Sequence, residues 1–368
     1  MKRMQKLGCV LFALSVLPGG CGAGRKGAAP ESDGGTPTDT LRILDTLTVA
    51  DAGTILDVSS ICYDSEGNTY FFDRVQSRIE KFDSHGAYVR SIGRRGEGPG
   101  EISVPGGFTV LGNDRLLVND NGSMTSLLFS AEGDYLGAPI SWRSSVPWDI
   151  HAMGDSSFVG TMLNVENGEN GVSISFDVNR YTASSEPEVC YFSKEWNWTP
   201  ETSHLLYEDI ERILYTASPD NRFFIAPDAG EYLVQVYDSE GSLLHLLQRS
   251  DLQRVPKPDS VIDFEREAFE RRAAQDQGYT GGYSPDEYYP LIRSLGVDAQ
   301  GNLWVQRGDS HPRVTFDVWA PDGGLLKSVV LADAPEEVIE KCTVGSGGIT
   351  AFTEDTGDEM VLFSLGYD

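Results

Sequence analysis

ICYDSEGNTYFFDRVQSRIEKFDSHGAYVRSIG, residues 61–93, decides the fold. An apolar run meets a tight polar turn at Gly67-Asn68; two strands follow, then a turn at Gly86 and a fourth strand. The same grammar returns in GVDAQGNLWVQRGDSHPRVTFDVWAPDGGLLKSVV at 296–330. It is fainter in FTVLGNDRLLVNDNGSMTSLLFSAEGDYLGAPI at 108–140 and TASPDNRFFIAPDAGEYLVQVYDSEGSLLHLLQ at 216–248. Gly112-Asn113, Asp220-Asn221 and Gly301-Asn302 mark the first turn of these copies. Gly133, Gly241 and Gly323 mark a later one, about 18–21 residues downstream, which is room for two ordinary strands.

Two weaker units fill the gaps: 149–194, turning at Gly154-Asp155, and 336–368, turning at Gly347-Gly348. Six units at a period of about 45 residues predict an all-β chain, a six-bladed β-propeller of four-stranded blades. The segment LRILDTLTV, 41–49, has no unit of its own. Because an open ring would leave a bare sheet edge, this N-terminal strand is expected to close the ring as the outer strand of the last blade. The domain is thus read as 41–368. Insertions fall at 191–212 and 251–291, the second carrying a small helix with capping-box spacing at Ser260 and Asp263. Ser284-Pro285-Asp286-Glu287 reads as the start of a short second helix.

Composition agrees: 40 Gly, 18 Pro, 16 Phe and 15 Tyr suit many short strands joined by tight turns. Residues 1–20 read as a signal peptide, with Lys2, Arg3 and Lys6 ahead of the apolar run Val10 to Leu17 and then Gly19-Gly20. Cys21 after those small residues resembles the bacterial lipoprotein box, which implies its lipidation. Residues 21–40 then read as a flexible tether. Loss of the three signal-peptide cations takes the formal charge from −27 to −30. Such a field repels nucleic acid and anionic headgroups and favours cationic partners or metal ions. Cys62, Cys190 and Cys342 remain in the domain, an odd number without CxxC spacing. That argues against a disulfide framework or a zinc site, and Cys62 and Cys342 are expected as buried thiols on neighbouring inner strands.

Ile92-Gly93-Arg94-Arg95-Gly96-Glu97-Gly98-Pro99-Gly100-Glu101, followed by Pro105, resembles the connector of NHL-type (NHL-repeat-like, TolB-like) propellers. The stretch is most similar to six-bladed propeller lipoproteins of Gram-negative bacteria. Tyr289-Pro290, Leu295-Gly296-Val297-Asp298 and Gly301-Asn302-Leu303-Trp304-Val305 carry the same likeness. The resemblance implies a fold and a cell-envelope location, but no reaction.

Several motifs reduce to structure. DSEGN at 64–68 and DAQGN at 298–302 lack the alternate ligands and distal Glu of a calcium loop, and read as turns. GRRGEGPGE at 93–101 lacks the terminal Lys-Ser/Thr of a phosphate loop. No G-x-S-x-G elbow or H-E-x-x-H occurs. The beginnings of inner strands line a propeller channel, so the candidate channel residues are Asp57, Asp149, His151 and Arg293. Asp149 and His151 alternate and are expected on one side of a strand. Trp196 and Trp198, beside Tyr191 and Phe192 in an insertion, are candidate stacking platforms for a sugar or peptide.

The favoured reading is a monomeric outer-membrane lipoprotein, bound to the membrane only through its anchor, that recognises a protein, peptide or glycan on one rim. It needs no cofactor, and a divalent cation such as calcium is the ion its charge would admit. The rival is a metal-dependent hydrolase or lyase of gluconolactonase or amidating-lyase type, acting in the channel.

Overall fold

The computed structural model describes residues 38–47, 58–168, 171–199, 210, 212–273, 285–310, 313–332, 341–354 and 360–366. The segments read as signal peptide and, up to residue 37, as tether, together with Cys21 and Asp57, lie outside them.

Five blades are antiparallel meanders counted outward from the ring centre. Blade 1 holds β2 (Val58–Tyr63), β3 (Thr69–Asp73), β4 (Arg78–Phe82) and β5 (Tyr88–Ile92). Blade 2 holds β6 (Pro105–Val110), β7 (Leu116–Asp120), β8 (Thr125–Phe129) and β9 (Tyr135–Ser141). Blade 3 holds β10 (Trp148–Met153), β11 (Ser157–Gly168), β12 (Gly171–Tyr181) and β13 (Val189–Trp198). Blade 4 holds β14 (Leu214–Ala217), β15 (Phe223–Ala226), β16 (Leu233–Tyr237) and β17 (Leu243–Gln248). Blade 5 holds β18 (Ile292–Val297), β19 (Leu303–Arg307), β20 (Thr315–Trp319) and β21 (Leu325–Leu331). In blade 6, β22 (Lys341–Gly345), β23 (Gly348–Glu354) and β24 (Met360–Gly366) are completed by β1 (Thr38–Leu47). Neighbouring inner strands touch in the order β2, β6, β10, β14, β18, β22 and back to β2. The chain is a six-bladed β-propeller, closed by its N-terminal strand.

That closing strand begins at Thr38, inside the stretch read as tether, and serves two blades. Thr38–Leu41 pair in parallel with Ser328–Leu331 of β21, whereas Arg42–Leu47 pair antiparallel with β24. A register shift between Ile43 and Asp45 follows this change of partner.

Apolar side chains gather between blades rather than at one centre. Tyr70, Phe72, Phe108 and Phe129 fill the wedge between blades 1 and 2. Phe224, Val234, Ile292 and Trp319 fill that between blades 4 and 5. Second strands are covered on both faces by neighbouring blades, so β3, β7 and β15 are buried at every position.

The Asp-led turns close the hairpins as expected. Asp64 Oδ1 accepts the Asn68 amide at 2.8 Å, and its Oδ2 accepts Asn68 Nδ2 at 2.8 Å and the Tyr70 hydroxyl at 2.9 Å. Asp298 repeats this with Asn302 and Trp304. Gly67 and Gly301 take φ of +81° and +78° in these turns, a region open to glycine.

Antiparallel order sorts the connections onto two faces. Turns from first to second and third to fourth strands share one end, the hairpin face. Second-to-third turns and the links to the next blade share the other, the connector face. Both long insertions therefore emerge on the connector face, where inner strands begin.

Their extents differ from expectation. Residues 191–198 belong to β13, because β11 and β12 run long and draw the fourth strand with them. The helix α1 (Asp259–Ala273) starts before Ser260, with Pro258 O accepting the Val261 amide at 2.9 Å. Asp263 pairs instead with Arg266, Nη1 to Oδ1 2.6 Å. No second helix forms at 285–287: Lys257 N bonds Glu287 O (2.8 Å) and Tyr289 N bonds Val255 O (2.9 Å), zipping the insertion's two ends into a stem.

Candidate functional site at the channel mouth

Inner strands begin with a backbone irregularity that the sequence does not display. In blades 1, 2, 3 and 5 the pairing of first and second strands slips by one residue at the connector end. The additional residue is Ser59 in blade 1, Gly106 in blade 2 and Arg293 in blade 5; in blade 3 the slip falls at Asp149-Ile150. Such bulges re-aim side chains and recur beside functional sites. Thus Asp149 and Arg293 occupy one structural position on two blades of the ring.

Asp149 has φ +48°, a left-handed conformation that Asp tolerates better than most residues. The turned backbone offers its carbonyl to the Tyr215 hydroxyl of the next blade, at 2.6 Å. Thr161 Oγ1 lies 2.7 Å from that hydroxyl. The exposed Asp149 carboxylate comes within 3.4 Å of His151 Nε2, and the His151 ring meets Tyr215 edge-on at 5.3 Å. Burial first, then the Asp149 charge, pushes the Tyr215 phenol well above its ordinary range.

On the far side of the ring, half-buried Arg293 runs its stem past Gly308, where an added Cβ would strike Pro290 O. It acts electrostatically on Cys342, whose thiol burial pushes up to about 12 while the Arg293 charge draws it back. Cys62 faces the Phe108 carbonyl at 3.9 Å and is likewise pushed up to about 12 by burial. Both are free thiols as expected; Cys342 is buried, whereas Cys62 is half-buried rather than buried.

The structure therefore brings Asp149 and His151 together and sets Arg293 at the same level of the ring. The two tryptophans lie elsewhere. Trp196 is on outer strand β13, not in a loop, edge-on to Phe176 at 6.4 Å and under Lys194 at 5.2 Å. Trp198 ends the same strand opposite Val172, and its side chain lies outside the described residues. Among the described residues, no three His, Cys, Asp or Glu side chains converge as a metal shell would require.

GRRGEGPGE is a self-capped connector. Glu101 accepts the Gly98 amide and Arg94 Nε, each at 2.8 Å, and these bonds, the Gly98 amide first, hold its carboxyl below the usual range. On the hairpin face, a polar cleft of 330 Å³ between blades 1 and 2 is lined by Asp64, Lys81, Asp114 and Glu132. Its charges are engaged internally: Lys81 Nζ donates to Ala131 O at 3.2 Å and Asp114 accepts the Ser65 amide at 2.8 Å.

One charged network escaped the sequence reading. Buried Asp317 accepts Tyr232 OH (2.8 Å), Ser328 Oγ (2.7 Å) and Arg249 Nη1 (3.1 Å), with Arg307 Nη1 at 3.5 Å. Arg249 and Arg307 also pair with Asp251 and Asp309, and the Arg249 contact holds the Asp251 carboxyl down to about 2. The signal was available: QRSD at 248–251 and QRGD at 306–309 repeat Gln-Arg-x-Asp. With every group partnered, the network joins blades 4 and 5 rather than binding a ligand.

Residues 46–139 match the DUF5128 family model, described as a 6-bladed beta-propeller. No curated protein matches the chain in sequence. Among solved structures, a Bacteroides fragilis protein inferred to be exported aligns over 90% of this chain and 100% of its own, at 12% identity and TM-score 0.52. A DUF4221-family protein of Bacteroides vulgatus covers 90% and 98%, at 10% identity and TM-score 0.47. The calcium-binding protein regucalcin of Agrobacterium tumefaciens covers 89% and 95%, at 10% identity and TM-score 0.43. At such identities the likeness is one of fold.

Proposed function

We propose that this chain is an exported, lipid-anchored binding protein of the cell envelope, akin to NHL-type propeller lipoproteins. It takes a protein, peptide or glycan on its connector face. One observation carries the reading: both long connections and the bulged starts of the inner strands, with Asp149, His151 and Arg293, share that face. Loops on a rigid ring are where such scaffolds put recognition. A carboxylate on blade 3 and a guanidinium on blade 5 give a ligand bearing both signs of charge, such as a peptide, two points of registration.

The test is binding of envelope peptides and glycans to the purified protein, with metal content measured in parallel. Asp149→Asn, which keeps a residue tolerant of the left-handed backbone, should weaken peptide binding by about 1–3 kcal/mol while leaving the fold intact. A stoichiometric divalent ion lost in Asp149→Asn would overturn the pure binding reading in favour of a metal-dependent hydrolase or lyase.

A further inference from the structure

The outer strand of blade 4 lacks what protects the other outer edges of the ring. β1 covers the edges of β21 and β24, and among the described residues β5, β9, β13 and β17 each end their sheets. β5 carries Arg90 at its middle, β9 carries Gly137 and Pro139 with two slips in register, and β13 carries Lys194 and Glu195. Charges, proline and bulges of this kind keep a bare edge from pairing with another chain. β17 reads Leu243-Leu244-His245-Leu246-Leu247-Gln248, with no Lys, Arg, Asp, Glu or Pro. Its one slip lies at the turn end, and Leu243, Leu244 and Leu246 are 50%, 44% and 53% exposed. Its backbone is also set for a partner. Arg249 N donates to Tyr232 O at 3.4 Å, continuing the register in which Gln248 faces Leu233 and Leu246 faces Gln235. Residues of an antiparallel strand turn their N–H and C=O alternately to either side. Arg249, Leu247 and His245 therefore address β16, whereas Leu246 and Leu244 address the open edge. Side chains alternate as well. Leu247 packs in the wedge between blades 4 and 5 and His245 lies against Gly323 of blade 5, so Leu244 and Leu246 share the opposite face.

We propose that β17 pairs with β17 of a second copy of this chain, antiparallel about a two-fold axis through His245. Leu-Leu-His-Leu-Leu, 243–247, reads the same in both directions. The axis thus sets Leu244 opposite Leu246 of the second copy and Leu243 opposite its Leu247, twice over. Leu244 and Leu246 exchange their outward N–H and C=O groups across the axis, and four leucine side chains meet on one face. A two-fold contact uses the same patch on both copies and must be complementary to itself. A strand of another protein would need no palindrome. In a strongly acidic chain, the strip that meets its copy, 242–248, holds no acid. The chain already joins blades 5 and 6 through their outer edges into one eight-stranded sheet. Pairing of β17 builds a second such sheet, now between copies. The dimer departs from the monomer expected from sequence, and its contact lies on the side of the ring, apart from the connector face.

The experiment is disulfide trapping in the purified full chain, in a Cys21→Ala, Cys190→Ser background whose own cross-linking sets the baseline. Across the axis the two residues at 245 form a non-hydrogen-bonded pair with Cα atoms about 4.5 Å apart, within reach of a disulfide. The two residues at 244 lie more than about 8 Å apart, beyond that reach. His245→Cys should therefore give a disulfide-linked dimer under mild oxidation, while Leu244→Cys alone stays at baseline. Leu244→Cys mixed with Leu246→Cys should give the mixed dimer, its Cα atoms about 5.5 Å apart. Adding Leu246→Lys to His245→Cys should slow trapping at least about tenfold, with the unfolding midpoint unmoved because the position is exposed. Trapping at 244 alone that equals trapping at 245, or trapping that survives Leu246→Lys, overturns the pairing. A baseline rate for His245→Cys or for the mixture overturns the second copy as the occupant of this edge.

Discussion

Asp149 owes its place to backbone as much as to charge. Alternation in the sequence put Asp149 and His151 on one side of a strand, and they do meet, at 3.4 Å. The bulge that turns Asp149 was not legible, because Asp at positive φ looks like any Asp in a strand, and only pairing with β11 reveals the slip. The thiols were legible, since small apolar-neighboured cysteines on inner strands have little to do but pack. Of the domain's three thiols, exposed Cys190 should react fast with a disulfide reagent at pH 8, half-buried Cys62 more slowly, and buried Cys342 only after denaturation; a fast-reacting Cys342 in the native protein would contradict its burial. The folded chain holds the protons of Cys62 and Cys342 up to about pH 12, whereas an unfolded thiol releases its proton near 8.5–9. Their contribution to stability is therefore complete below about pH 8.5 and lost as pH rises toward 12, so denaturation midpoints should fall on the alkaline side.

Among elements, the second insertion shows how far local signals reach. The apolar spacing of Val261 and Phe264 announced α1, but capping chemistry at Ser260 misplaced its start, because Pro258 already supplies the first acceptor. Ser284-Pro285-Asp286-Glu287 has the look of a helix start; tertiary partners prevail there. Asp286 accepts from Arg254, which also donates to the carbonyls of Tyr288 (3.1 Å) and Tyr289 (3.2 Å) and sits over the Tyr288 ring at 5.3 Å. Arg254 is therefore the clasp of the stem. In Arg254→Ala, the Lys257 and Tyr289 amides should exchange faster by about tenfold or more, while the global unfolding midpoint moves little. Unchanged exchange at both amides would show that the stem holds without its clasp. Trp196 illustrates the opposite limit: nothing in its neighbourhood distinguishes a loop from a lengthened edge strand until β11 and β12 are seen to extend.

For the whole molecule, the six units could be read from turn spacing, since each turn needs Gly, Asn or Asp at fixed offsets, and the closing strand from a segment left without a unit. Which side chains share the channel mouth could not, because that depends on ring order and on slips in pairing. Closure concentrates stability at β1: Leu41 is fully buried where blades 5 and 6 meet. Leu41→Ala should cost about 2–5 kcal/mol, read as a single cooperative shift in a denaturant titration. A separate early transition would show that the last blade unlatches alone.

The double pairing of β1 also bears on force. A pull on Thr38 directed back along β1 acts along the strand axis, so the bonds to β21 and β24 are loaded together in shear rather than peeled one by one. Such a pull should therefore meet its greatest resistance at the seam that closes the ring.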